Sequence, residues 1–258
     1  MPNRAHPPTG APCWADLWTS DVEGSRRFYA RLLGWEAQEP SPEFGGYFMF
    51  TRLGVPVAGA MGDMGDMKAT DTWKVYLETS DIDATLRAAA GAGAEVVVPA
   101  SPVADLGTQA VLIDPAGATV GAWQPDTFCG FTVLGEPGTP SWFELHTRDH
   151  AGAVAFYRQV FGWETDVVSD TDEFRYTTVR DPGGGELAGI ADASSFLPAG
   201  APPYWTLYWA VEDAGRAVAE VEAAGGSVLM GAHDTPYGRL ASVADPAGAR
   251  FNLRTPPA

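Results

Sequence analysis

Between residues 14 and 19 the side chains alternate, with Ala15, Leu17 and Thr19 set against Trp14, Asp16 and Trp18. This is the period of a β-strand with two unlike faces. Asp21 follows as a helix cap, and Phe28, Tyr29, Leu32 and Leu33 fall on one stripe of a helix that stops at Gly34. The succession starts again at Trp142: a strand over 142–147, Asp149 as cap, a stripe of Phe156, Tyr157, Val160 and Phe161, and Gly162 as terminator. Two related units pair a strand over 73–78 with a helix over 82–91, and a strand over 204–211 with a helix over 214–224. Apolar, β-rich segments such as GYFMFTRL, AEVVVPA, TQAVLID and TVGAWQ come after the helices, with turn residues between them. The pattern predicts an α+β chain of four βαβββ modules and about sixteen strands.

The modules form two equivalent halves. WADLWTSDVEGSRRFYARLLGWE from Trp14 returns as WFELHTRDHAGAVAFYRQVFGWE from Trp142, an offset of 128 residues. The later units repeat at an offset of 132, and DPAG at Asp114 recurs at Asp245, an offset of 131. Small loop insertions account for these differences, so the repeat sets the domains. Residues 1–12 read as a flexible arm, 13–124 as a first domain of modules 13–65 and 70–124, and 125–138 as a linker. Residues 139–258 form a second domain of modules 139–195 and 202–255.

Alternation also divides each strand chemically. Leu17, Val75, Leu77, Phe143, Leu145, Leu207 and Trp209 face the helices and are apolar. The opposite faces carry Trp14, Asp16, Trp18, Lys74, Tyr76, Glu78, Trp142, Glu144, His146, Thr206 and Tyr208. Aromatics mixed with ionisable groups suit a ligand cavity better than a core. Glu144 and His146, which replace Asp16 and Trp18, are the sharpest difference between the halves. They lie roughly 6.6–6.8 Å apart along one strand face, a spacing that suits two separate points on one ligand.

Sixteen basic residues against thirty-three acidic ones leave a formal charge of -17, a field that repels nucleic acid and anionic membrane. The N-terminal segment lacks signal-peptide character, no apolar run is long enough to span a bilayer, and the two cysteines suggest no disulfide framework. A cytoplasmic protein is expected, a monomer or weak homodimer. Cys13 and Cys129 have no His at an interpretable spacing, and neither GAGA nor PGGGE opens a nucleotide-binding helix.

A strand, an Asp, a helix ending FYxx(L/V)(L/F)GW and a later DPAG before the last strand resemble the vicinal oxygen chelate superfamily. That superfamily includes glyoxalase I, extradiol dioxygenases and bleomycin-resistance proteins. The chain is most similar to its tandem two-domain actinobacterial members, and the likeness spans residues 12–255. The resemblance implies metal ligands at the positions of Trp14, Lys74, Gly121, Trp142, Thr206 and Asn252. None supplies the imidazole and carboxylate set that a transition metal needs, so neither metal nor cofactor is expected.

The candidate ligand-binding walls are therefore Trp14, Trp18, Tyr76, Trp123, Trp142, Tyr208 and Tyr237. Asp16, Lys74, Glu78, Glu144, His146, Thr206, Arg250, Asn252 and Arg254 are the candidate polar contacts. They favour metal-independent binding or sequestration of a small, largely aromatic or hydrophobic molecule such as an antibiotic or secondary metabolite. One alternative is a metal-independent enzyme with His146 as acid or base and Glu144 as its partner. Another is a glyoxalase-like lyase with a relocated metal site that uses Glu144, His146 and His233.

Overall fold

In the computed structural model, which describes residues 6–257, each half builds one eight-stranded mixed sheet. The first half runs β1 (Pro12–Trp18), α1 (Val22–Leu33), β2 (Glu36–Ala37), β3 (Phe48–Arg52), β4 (Val55–Met61), β5 (Thr72–Glu78), α2 (Ile82–Gly91), β6 (Glu95–Val103), β7 (Gly107–Ile113) and β8 (Thr119–Pro125). The second repeats this as β9 (Pro140–Thr147), α3 (His150–Phe161), β10 (Thr165–Asp170), β11 (Arg175–Arg180), β12 (Glu186–Asp192), β13 (Tyr204–Ala210), α4 (Ala214–Ala223), β14 (Ser227–Thr235), β15 (Gly238–Ala244) and β16 (Arg250–Thr255). The sheet orders are β2-β3-β4-β1-β5-β8-β7-β6 and β10-β11-β12-β9-β13-β16-β15-β14.

The leading strands of the two modules in each half pair antiparallel at the sheet centre. Trp14 lies opposite Tyr76 and Asp16 opposite Lys74; Trp142 lies opposite Tyr208, Glu144 opposite Thr206 and His146 opposite Tyr204. The predicted register holds: Leu17, Val75, Leu77, Phe143, Leu145, Leu207 and Trp209 are all buried. The predicted caps form as well. The Asp21 carboxylate accepts from the Gly24 N–H at 2.8 Å and that of Asp149 from the Gly152 N–H at 3.0 Å. Gly34 and Gly162 close their helices at φ 68°, a conformation that favours glycine.

The helix-bearing faces of the two sheets face each other and merge into one core that draws on both halves. Trp209 meets Trp35 at 4.7 Å and Trp73 at 5.4 Å between ring centroids. Tyr29 on α1 stacks on Trp35 and extends its hydroxyl across the interface to the buried Asp245 carboxylate, 3.1 Å away. Reciprocally, Tyr157 on α3 reaches the buried Asp114 at 3.1 Å. Each Asp directs its other oxygen at three backbone N–H groups of its own DPAG turn. The two DPAG repeats are therefore interdomain clasps.

The chain segments between domains are likewise tied down. Of the arm read over 1–12, residues 1–5 lie outside the described residues. Beyond them, the Gly10 N–H donates to the Glu78 carbonyl, and the Gly10 carbonyl accepts from the Trp163 indole at 2.7 Å. Within the linker, Phe131 is buried against Trp14 and Phe143.

Removing either clasp hydroxyl leaves a buried carboxylate one donor short. Tyr29→Phe and Tyr157→Phe should each lower stability by about 1–3 kcal/mol, and the double variant by about the sum. Chemical denaturation checks this; an unchanged midpoint in both single variants would refute the clasp.

Candidate functional site

With the helix-bearing faces packed together, the opposite faces of both sheets carry the predicted polar and aromatic residues. In the first half the Asp16 carboxylate accepts from the Tyr47 hydroxyl at 2.8 Å and the Trp14 indole N–H at 2.9 Å. That N–H also reaches the Tyr47 oxygen at 2.9 Å. Gly59 on β4 makes the approach possible, because a Cβ there would collide with the Tyr47 hydroxyl and Asp16. Burial raises the Asp16 pKa, and its hydrogen bond from Tyr47 and the nearby Lys74 charge offset this only in part. Burial lowers the Lys74 pKa against the pull of Asp16.

The second half rebuilds the arrangement with more donors. Glu144 accepts from the hydroxyls of Tyr176 at 2.6 Å and Tyr208 at 3.2 Å, and from His146 Nε2 at 2.5 Å. An ionised carboxylate only accepts, so Nε2 is the donor; Nδ1 lies 2.9 Å from the Tyr204 hydroxyl oxygen, accepting from it in the neutral ring and donating to it in the protonated one. The Trp142 indole N–H donates to the Tyr176 oxygen at 2.9 Å. Burial pushes the Glu144 carboxyl up, but His146, through its hydrogen bond and charge, together with the tyrosine hydroxyls brings it below its ordinary range. The direct Glu144–His146 bond corrects the expectation of two separated points: both side chains turn toward each other to satisfy a carboxylate that is largely withdrawn from water.

Several predicted residues lie elsewhere or serve the wall. Trp18 donates to the Gly62 carbonyl, and Trp123 to the carbonyl of Phe128. Glu78 is buried beside Trp123 in register. Asn252 is held by Thr206 and Ser242. Arg254 is part-exposed and donates through Nε to the Tyr237 carbonyl, while the Tyr237 and Arg250 side chains are exposed at the margin. His233 does not join His146. It lies exposed on β14 and bonds the nearby Gly231 carbonyl, so the relocated metal set is not assembled. Cys129, expected to lack a histidine, has His6 Nδ1 3.0 Å from its sulfur.

Sequence reasoning missed Tyr47, Tyr176 and Tyr204. The repeat pairs Tyr47 with Tyr176, and period two from Thr206 and Tyr208 places Tyr204 on the same face.

The residues do not fit the metal that the resemblance implies. The Tyr76 ring fills the space above Gly121 that a side chain would need. Trp14 and Trp142 present N–H donors, Lys74 is a cation, and Asn252 is already bonded to Thr206 and Ser242. Among the described residues no three His, Cys, Asp or Glu side chains converge as a metal-holding group.

Fold and repeat together define a tandem protein of paired βαβββ modules, and the chain belongs to the glyoxalase/bleomycin resistance/dioxygenase (vicinal oxygen chelate) superfamily. Residues 139–253 match the family described as Glyoxalase/Bleomycin resistance protein/Dioxygenase superfamily, and residues 14–121 match the Glyoxalase-like domain. CFP32 of Mycobacterium tuberculosis (strain CDC 1551 / Oshkosh), a protein named as a glyoxylase, is 33% identical over 99% of this chain and 98% of its own. The anthracycline biosynthesis protein DnrV of Streptomyces peucetius is 34% identical over 95% of this chain and 92% of its own. The crystal structure of the Mn(II)-bound glyoxalase from Novosphingobium aromaticivorans shares the fold, with a TM-score of 0.66 at 17% identity over 96% of this chain and 82% of that one. No helix among the described residues is long and apolar enough to cross a membrane.

The two carboxylates should respond oppositely to pH. Glu144 has a lowered folded pKa, so its contribution is complete above the ordinary carboxylate range and is lost as pH falls through the folded value. Asp16 has a raised folded pKa, so its ionisation costs stability at neutral pH, and the cost disappears as pH falls toward the ordinary range. At pH 7 Glu144→Gln should cost about 1–3 kcal/mol, and Asp16→Asn less. Denaturation curves at neutral and acid pH should show the Glu144→Gln deficit shrinking in acid; a deficit that grows there would contradict the assignment.

Proposed function

We propose that the second-half outer face binds a small, largely aromatic molecule without a metal, sequestering or presenting an antibiotic or secondary metabolite in the cytoplasm. The observation that carries this reading is the Trp142–Tyr176–Glu144–His146–Tyr204 network. It supplies flat walls with fixed polar tips in place of metal donors. The relative named for anthracycline biosynthesis supports the ligand class. A folded site with its hydrogen bonds already made loses little entropy on binding a rigid ring system.

One observation favours a second reading, metal-independent acid–base catalysis. Tyr204, His146 and Glu144 form a hydroxyl–imidazole–carboxylate chain. In it Glu144 orients the ring, and His146 can pass a proton between Nδ1 and the Tyr204 oxygen.

Calorimetry with 1,4-dihydroxyanthraquinone, on protein purified without chelator, separates the readings. His146→Ala should weaken binding by about 1–3 kcal/mol with the fold intact. Under the catalytic reading the same variant should keep most of its affinity and lose about 10²-fold in turnover. Elemental analysis should find no stoichiometric Zn, Ni, Fe or Mn; one tightly held metal per chain would overturn the metal-free reading.

A further inference from the structure

The repeat supplies an internal comparison for the site. Immediately after β8 the chain folds back, and Phe128 places its ring edge-on to Trp14 at 4.8 Å and 6.2 Å from Trp123. Beneath this ring Trp14, Tyr76 and Trp123 are only 5%, 4% and 8% exposed. By the repeat their second-half counterparts are Trp142, Tyr208 and Arg254. All three are part-exposed. The part-exposed wall of the second half thus corresponds to the wall that an aromatic ring covers in the first.

The one chemical change at this position is Trp123 to Arg254. Arg254 is held by backbone carbonyls, with Nε donating to Tyr237 at 2.9 Å and Nη1 to Ser141 at 3.4 Å. Among the described residues it forms no ion pair with an Asp or Glu. Two of its five N–H groups are thereby used, which leaves the outer Nη1 and Nη2 hydrogens as a fork of the shape that a carboxylate accepts. Glu186 acts on this guanidinium through space without forming an ion pair with it, so Arg254 keeps hydrogen-bonding capacity for an added carboxylate.

Resting on the reading that the second half binds an aromatic molecule, we propose that this ligand is an aromatic carboxylate. Its ring packs against Trp142 and Tyr208 where Phe128 packs in the first half, and its carboxylate takes the free edge of Arg254. Phe128 acts as a built-in occupant that closes the first half, so the chain takes one ligand.

Titration of the full chain with 2-naphthoate and with its neutral methyl ester tests this. The acid should bind one per chain and roughly 10- to 100-fold more tightly than the ester. Arg254→Gln should abolish that preference while leaving ester binding in place, and Arg254→Lys should keep part of it, because charge remains but the fork is gone. Phe128→Ala, with its fold checked by circular dichroism, should raise the stoichiometry for the ester from one to two. Equal affinity for acid and ester, or an acid preference that survives Arg254→Gln, overturns the carboxylate assignment while the aromatic-binding reading stands. Failure of both probes and of 1,4-dihydroxyanthraquinone to bind overturns the two together.

Discussion

The reciprocal clasp between Tyr29 and Asp245 and between Tyr157 and Asp114 is the interaction on which the rest of the molecule depends. A buried carboxylate is tolerated only when its lone pairs are met. Here the DPAG turn meets one oxygen and a tyrosine from the other half meets the second. Neither half is complete alone in this respect, because each supplies the tyrosine that the other requires. The clasp turns the helix-bearing faces inward, where the tryptophans of both halves close the core. The strand faces with ionisable groups are consequently directed away from the interface.

That orientation explains how two carboxylates, Asp16 and Glu144, persist at the centres of two sheets. Glycines at Gly59 and Gly189 let the Tyr47 and Tyr176 hydroxyls approach, and each tyrosine oxygen is in turn fixed by a tryptophan N–H. The environments then diverge. Burial shifts Asp16 up, and its hydrogen bonds and the Lys74 charge offset this only in part, whereas Glu144, with His146 against it, is shifted down. Only the second half maintains a stable buried anion with an imidazole against it, which is why its chemistry is the richer of the two.

Much of this was legible in the sequence, for identifiable reasons. Period two along β1, β5, β9 and β13 assigns Leu17 and Leu145 inward and Trp14, Asp16, Trp142 and Glu144 outward, because strand geometry leaves no third choice. Asp21 and Asp149 could be read as caps from local spacing alone. The pairing of modules, the inward direction of the helix faces and the clasp could not, since they join residues as far apart as Tyr29 and Asp245. The Glu144–His146 contact escaped for a different reason: backbone spacing describes Cα positions, while two long side chains with satisfiable partners close the gap between them. Tyr47 stood in GYFMFTRL, read only as an apolar strand segment, although its equivalence to Tyr176 under the repeat was there to be used.

A duplicated chain bound by reciprocal clasps cannot discard either half, because each holds the other's buried Asp in place. The outer faces carry no such mutual obligation, so one can be altered without loosening the core. In the first half the face is closed by Phe128, Trp18 bonds the Gly62 carbonyl, and Trp14, Tyr76 and Trp123 are sealed. In the second, His146, Tyr204 and Arg254 replace the apolar or small residues Trp18, Thr72 and Trp123, and Trp142, Tyr208 and Arg254 are part-exposed. The first half thereby acts as a scaffold whose clasp tyrosine, Tyr29, steadies the DPAG turn that leads into β16, the strand carrying Asn252 and Arg254. Support from the first half thus reaches β16 through the buried Tyr29–Asp245 hydrogen bond and through the ring contacts of Phe28 and Tyr29 with Phe251.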